Sequence, residues 1–261
     1  MKNKLALIAL SVVLGLSACS QENTAKAAGQ NNVKTTQDAI TAIKNNDKAY
    51  EQQVKKAAQK GNADAQALLG LIYLRQKDYT QAFDWLKKAS EQGNAEAQYG
   101  LGQLYYTGKG TTQDKAKALE LYKKSAEQGV ANAQAALGVM YQQGEVVKQD
   151  LSQAFNWYQK AAMQNNAEAQ ALLGMMYFEG EGVAKNTETA KQWLRKAADN
   201  GYANAQLMLG TIYMKEQGVE DLPNILKWCE DFAQKQVKDK DAEFACKELQ
   251  KAQIELEEIR K

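Results

Sequence analysis

Five residues of one chemical type, Asp78, Asp114, Asp150, Asn186 and Asp221, return at a nearly regular interval along the 261-residue chain. Side-chain oxygens in a row could ligate a metal, but here each lies a whole interval from the next. A short carboxylate or amide just ahead of a helical segment instead accepts the orphan amide hydrogens of the first turn. The row therefore predicts helix N-caps and no metal site. Two Gly-x-Gly segments, Gly108-Lys109-Gly110 and Gly180-Glu181-Gly182, suggest a phosphate-binding loop. No strand pattern precedes them and no Gly-Lys-Ser/Thr follows, so they read as glycines that end helices in the left-handed conformation.

The remaining inventory argues against an enzyme. The chain has no histidine, the usual general base near neutral pH. It contains neither Ser-x-x-Lys nor Gly-x-Ser-x-Gly, the serine signatures of penicillin-binding proteins and lipases. Its acidic residues sit among lysines on alternating-sign, solvated faces. No catalytic residue, metal site or cofactor is expected. Lysine and arginine number 33 against 31 acids, and the signal-like segment holds Lys2 and Lys4, leaving the rest near neutrality with no nucleic-acid footprint.

The elements that carry these residues are repeats. Segments 94–129, 130–165 and 166–201 align position for position, each 36 residues long, with a shorter copy at 62–93 and a fifth opening at Tyr202. Glycines 70, 102, 138, 174 and 210 hold the register. A fixed period of this length predicts stacked supersecondary units in place of one globular core. In the first half of a copy, Ala169, Leu172, Leu173, Met176 and Tyr177 recur at helical spacing, defining helix A. In the second half, Ala190, Trp193, Leu194, Ala197 and Ala198 define helix B. A glycine inside helix A costs about 1 kcal/mol relative to alanine, so its recurrence predicts close approach of the neighbouring helix. Helix-B tryptophans such as Trp157 are expected to be mostly buried between repeats.

The pattern A-x-A-Q-x-x-L-G-x-x-Y, a glycine-bearing loop, then D-x-x-x-A-x-x-W-(Y/L)-x-K-A-A-x-x-G resembles the Sel1-like repeat, a relative of the tetratricopeptide repeat, over about 62–217. Copy two departs with Leu121 for the tryptophan and Ser125 for alanine, and copy one has a short loop. The resemblance implies an all-α, right-handed solenoid of helix-turn-helix repeats with capping helices at both ends. It also implies an interaction scaffold of the kind found in bacterial envelopes, and names no substrate.

Flanking segments complete the organisation. Residues 1–18 read as a signal peptide, with a basic start and an apolar run from Leu5 to Leu16 too short to span a bilayer. Leu16-Ser17-Ala18-Cys19 is similar to a bacterial lipobox, which makes Cys19 the expected lipid attachment site. Ser20 stands where an aspartate would resemble an inner-membrane retention signal, so an outer-membrane lipoprotein facing the periplasm is expected. Residues 19–35 form a flexible polar tether, 36–61 an N-terminal capping helix, 62–217 the repeats and 218–261 C-terminal capping helices. Cys229 and Cys246 are the other two cysteines. In an exported protein they read as a disulfide, with two buried thiols as the alternative.

By analogy with the tetratricopeptide groove, helix-A positions on the far side from helix B form the candidate partner-binding face. They are Ala67, Leu71 and Leu74; Tyr99, Gln103 and Tyr106; Ala135, Val139 and Gln142; Ala171, Met175 and Phe178; and Leu207, Thr211 and Met214. Either these line an exposed stripe, with Tyr99, Tyr106 and Phe178 as leading anchors, or adjacent A helices bury them. Two functions follow. The first is an envelope scaffold holding a protein or peptide in a concave groove, and the alternative is a periplasmic immunity protein against a toxic enzyme such as a lipase effector.

Overall fold

A computed structural model describes residues 48–202 together with Asn204, Ala205, Met208, Leu209 and Ile212. The expectations for the signal peptide, the tether, the C-terminal helices, Cys19, Cys229, Cys246, Leu207, Thr211 and Met214 lie outside the described residues. Among the described residues the chain forms nine helices and no strand. They are α1 (Lys48–Gln59), α2 (Ala63–Arg75), α3 (Tyr79–Glu91), α4 (Ala95–Thr107), α5 (Lys115–Glu127), α6 (Ala131–Gln143), α7 (Leu151–Met163), α8 (Ala167–Glu179) and α9 (Thr187–Asp199). After α1 they alternate as helix A and helix B of successive repeats. The contacts divide the chain into two units, one ending at Gln128 and the other starting at Gly129.

In the first unit α2 packs on α3 and α4 on α5, α1 and α3 each lie against the following A helix, and α2 also touches α4. One core joins Tyr50, Val54 and Ala58 of α1 to Ala65, Leu69 and Ile72 of α2. A second joins Ala67, Leu86, Ala97, Leu101 and Leu104. In the second unit α6 packs on α7 and α8 on α9, and α7 lies against α8. Its cores gather around Tyr158 and Leu173, and around Leu194 and Leu209.

The A helices approach their B partners at the recurring glycine. A Cβ placed on Gly174 would lie 2.8 Å from Leu194 Cγ and 3.1 Å from the carbonyl oxygen of Ala190. One on Gly138 would lie 2.5 Å from Tyr158 Cε1. Real Cβ atoms do not come so close, so the helical cost of glycine is offset by tight packing.

The four described B helices open as the Asp/Asn row predicts, and Asp221 lies outside the described residues. Side-chain oxygens of Asp78, Asp114, Asp150 and Asn186 accept the amide hydrogens of Gln81, Lys117, Gln153 and Thr189 at 2.9–3.1 Å. Asp114 also has its carboxyl held below the ordinary range, first by that amide bond and then by Lys117. Glycines end three of the A helices: Gly108, Gly144 and Gly180 have φ of +69°, +70° and +77° and return their amides to the helix. Gly110 is required for another reason, because a Cβ there would overlap the Tyr79 carbonyl at the start of α3. Asp114, Asp150 and Asn186 then close the A-to-B loops by donating their amides to Tyr105, Tyr141 and Tyr177. The short first copy closes from Asp78 to Tyr73, with Lys77 taking the left-handed turn at φ +62°.

The helix-B tryptophans are not the most enclosed residues of their helices. Trp85, Trp157 and Trp193 are half-buried, and the enclosed residue is the next one along, Leu86, Tyr122, Tyr158 or Leu194. Trp85 packs against the core that α2 shares with α1, and Trp193 against the core around Tyr158, each leaving part of its ring in solvent. Lys88, Lys160 and Lys196, three residues on, place their ammonium groups 4.0–4.4 Å from the indole centroids. In the second copy, where Leu121 replaces the ring, Lys124 pairs with Glu120 at 2.6 Å instead. The other departure in that copy is also accommodated, since Ser125 is fully buried and its hydroxyl donates to the Ala95 carbonyl at 2.7 Å.

Candidate partner-binding face

The predicted inner positions do not share one environment. In the first unit Leu71 is 37% exposed, and Leu74, Tyr99, Gln103 and Tyr106 are half-buried with solvent access. In the second unit Gln142 and Met175 are half-buried, but Val139 is 8% and Phe178 6% exposed. Ala67, Ala135 and Ala171 are buried as well. Phe178 belongs to the core around Leu194, Leu209 and Ile212, with Lys185 over its ring at 5.4 Å. A ring so enclosed serves packing, so for Phe178 and Val139 the buried alternative holds. Among the described residues the accessible aromatic stripe is confined to α4 of the first unit, beside Leu71 and Leu74 of α2.

That stripe has internal order. Gln103 Nε2 donates to the Tyr99 hydroxyl at 2.7 Å, and the Tyr99 ring lies 5.8 Å from the ring of Tyr122 beneath it. At the loop end, Lys115 Nζ stands 5.3 Å from the centre of the Tyr106 ring, and Gln113 Nε2 donates to the Tyr106 carbonyl at 2.8 Å. Tyr122 is only 2% exposed, and its hydroxyl makes no hydrogen bond among the described residues. Burial pushes its pKa well above the usual phenol value, with Tyr99 and Tyr106 adding to the effect. One repeat later Tyr158 is equally enclosed, but its hydroxyl donates to Gln142 Oε1 at 2.8 Å. Gln142 occupies the position that Tyr106 holds in the second copy.

Two carboxylates begin inner columns. Glu96 and Glu168 occupy the same position in their repeats, and burial raises both above the ordinary carboxylate value. Yet solvent reaches the Glu96 side chain and, less fully, that of Glu168. Glu96 is exposed and Glu168 half-buried, and the solvent contact moderates the electrostatic cost. Among the described residues, no group of three or more His, Cys, Asp or Glu side chains is placed to hold a metal ion.

The fixed glutamine of A-x-A-Q has a structural role that helical periodicity does not signal. Gln66, Gln98, Gln134 and Gln170 are buried. Their Oε1 atoms accept from Gln92, Gln128, Gln164 and Asn200 at the ends of the B helices, at 2.6–2.8 Å. Gln66 and Gln170 also donate to the carbonyls of Ala58 and Ala162 in the preceding helix at 3.1 Å. Each thereby ties three successive helices, satisfying polar groups that burial would otherwise leave costly. Its invariance across copies, at a position without apolar character, was the available signal.

Among the described residues, successive A–B helix pairs, with a glycine in each A helix and a capped B helix, define a class of helical-repeat protein. The Sel1 repeat model matches five consecutive segments, 63–94, 95–130, 131–166, 167–202 and 203–227, and the chain belongs to the Sel1 repeat family. No curated protein matches it. Among solved structures it is similar to c5321, a protective antigen of uropathogenic Escherichia coli with an SLR fold. That match has 39% identity and a TM-score of 0.63, covering 71% of this chain and 41% of that one. The chain thus corresponds to well under half the length of that antigen. It is also similar to a Sel1 repeat protein from Oxalobacter formigenes, at 28% identity and a TM-score of 0.67, covering 79% of this chain and 86% of the other.

Proposed function

We propose that this protein is an envelope-anchored scaffold that holds a protein or peptide on the inner face of its A helices, with the main docking surface on α2 and α4. Sel1 repeat proteins typically mediate protein–protein interactions. The observation that carries the reading here is the accessible row of Leu71, Leu74, Tyr99 and Tyr106, where large apolar side chains keep solvent contact while their counterparts Val139 and Phe178 are buried. Accessible aromatic side chains are favoured interface anchors. Anchoring through Cys19 and exposure to the periplasm rest on the signal-like segment and the lipobox-like Leu16-Ser17-Ala18-Cys19.

A photocrosslinking amino acid at position 103, in intact cells, tests the docking surface. The expected result is a discrete crosslinked protein, lost when Tyr99 is changed to alanine. A crosslink pattern equal to that obtained from position 84, an exposed site on α3, contradicts it. Identification of the trapped protein separates a structural envelope partner from a toxic enzyme.

A further inference from the structure

We infer that the inner face of α4, floored by Tyr122, docks a basic peptide segment. In this arrangement Glu96 takes a lysine or arginine side chain, the Tyr99 ring packs beside it, and the Tyr122 hydroxyl bonds a polar atom of the peptide. This rests on the proposed docking surface and gives it a partner chemistry. Three observations carry it.

The first is charge. Residues 96, 99, 103 and 106 share one helical face by their three- and four-residue spacing. The inner columns of the five copies open on Asp64, Glu96, Asn132, Glu168 and Asn204, and none of the fifteen candidate inner positions is basic. The B helices hold the cations: α5 alone carries Lys115, Lys117, Lys123 and Lys124. The Glu96 carboxylate has no ion-pair or hydrogen-bond partner among the described residues. An accessible, unpaired carboxylate on a helix that carries no lysine or arginine attracts an incoming cation.

The second is the floor hydroxyl. Tyr158 shows how this position is satisfied when a glutamine stands above it, through its 2.8 Å bond to Gln142. Tyr122 has tyrosines at both neighbouring inner positions and no hydrogen-bond partner among the described residues, in a residue that is 2% exposed. The Tyr122 hydroxyl oxygen itself keeps solvent contact. A peptide laid across Tyr99 and Tyr106 would exclude that water, and a peptide carbonyl or amide would take its place as the partner. The third is a contact already present: Lys115 holds its ammonium over the Tyr106 ring. The ring thus receives a cation from its own chain, and Lys115 gives the face a positive loop end opposite Glu96, which would orient a bound segment.

The test uses the full chain and three fluorescein-labelled nonapeptides that alternate alanine with arginine, with citrulline or with glutamate, read by fluorescence anisotropy. Citrulline keeps the shape of arginine without its charge. The arginine peptide should bind at least tenfold more tightly than the citrulline peptide, and the glutamate peptide should not bind. Glu96→Gln should remove most of that preference, Glu91→Gln should leave it intact, and Tyr122→Phe should weaken the arginine peptide about threefold without lowering the melting temperature. No binding of the arginine peptide, equal binding of the citrulline peptide, or equal effects of the two glutamine variants would overturn the inference. If Tyr99→Ala still abolishes capture of the cellular partner, the docking surface survives while its basic ligand does not. If capture is indifferent to Tyr99, both fall.

Discussion

The Tyr158 hydroxyl donates to Gln142 across 2.8 Å, while Tyr122, at the same position one repeat earlier, meets no hydrogen-bonding partner among the described residues. Removing the two hydroxyls should therefore have unequal effects. Tyr158→Phe strips a bond from a buried site and should cost about 1 kcal/mol of stability. Tyr122→Phe should be nearly neutral or slightly stabilising. Paired urea melts decide this, and equal losses would show that the two hydroxyls are equivalent.

Gly174 faces Leu194 and the Ala190 carbonyl at distances that admit no methyl group. Gly174→Ala should therefore lower stability by about 1–3 kcal/mol through overpacking, despite alanine's better helix propensity. Leu194→Ala in the same background should cost less than it does alone, because the leucine is the nearest obstacle. Additive losses in a double-mutant cycle would refute the proposed contact.

Glu168 supplies a pH dependence. Burial raises its carboxyl above the ordinary value of 4.5, so the folded chain keeps a proton that the unfolded chain has already released. Between 4.5 and the raised folded value, the unfolded state binds fewer protons and stability falls as pH rises. Above the folded value the full penalty is present, and below 4.5 it vanishes. Glu168→Gln should therefore melt higher than the parent protein at pH 7 and match it near pH 4. A variant less stable at pH 7 than at pH 4, relative to the parent, would reverse the assigned sign.

Much of the architecture was legible because it repeats. Gly174, the Asp/Asn caps and the Gly108 and Gly180 helix ends each act within one turn or one helix pair, so residue type and period suffice to recognise them. The face was legible as positions, and less so as environments. Phe178 and Tyr106 are equivalent in register, yet the first is enclosed by Leu194, Leu209 and Ile212, while the second keeps solvent contact. That difference depends on which side chains later helices bring over the ring. Trp157 illustrates the same limit, since the large apolar residue is half-buried beneath Lys160 and its neighbour Tyr158 fills the core. The glutamine relay through Gln66 and Gln170 spans three helices, and helical periodicity carries no sign of it.

The most direct measurement of the central claim sets thermal unfolding beside partner capture for Leu71→Ala, Tyr99→Ala and Tyr106→Ala, with Phe178→Ala as the packing reference. Tyr99→Ala and Tyr106→Ala should each weaken capture by at least about 1–2 kcal/mol as interface anchors, with little change in melting temperature. Phe178→Ala should lose about 3–5 kcal/mol of stability, as for other enclosed aromatic rings. Capture unchanged in all three face variants, or early unfolding of the two tyrosine variants to match Phe178→Ala, would contradict the proposed docking surface.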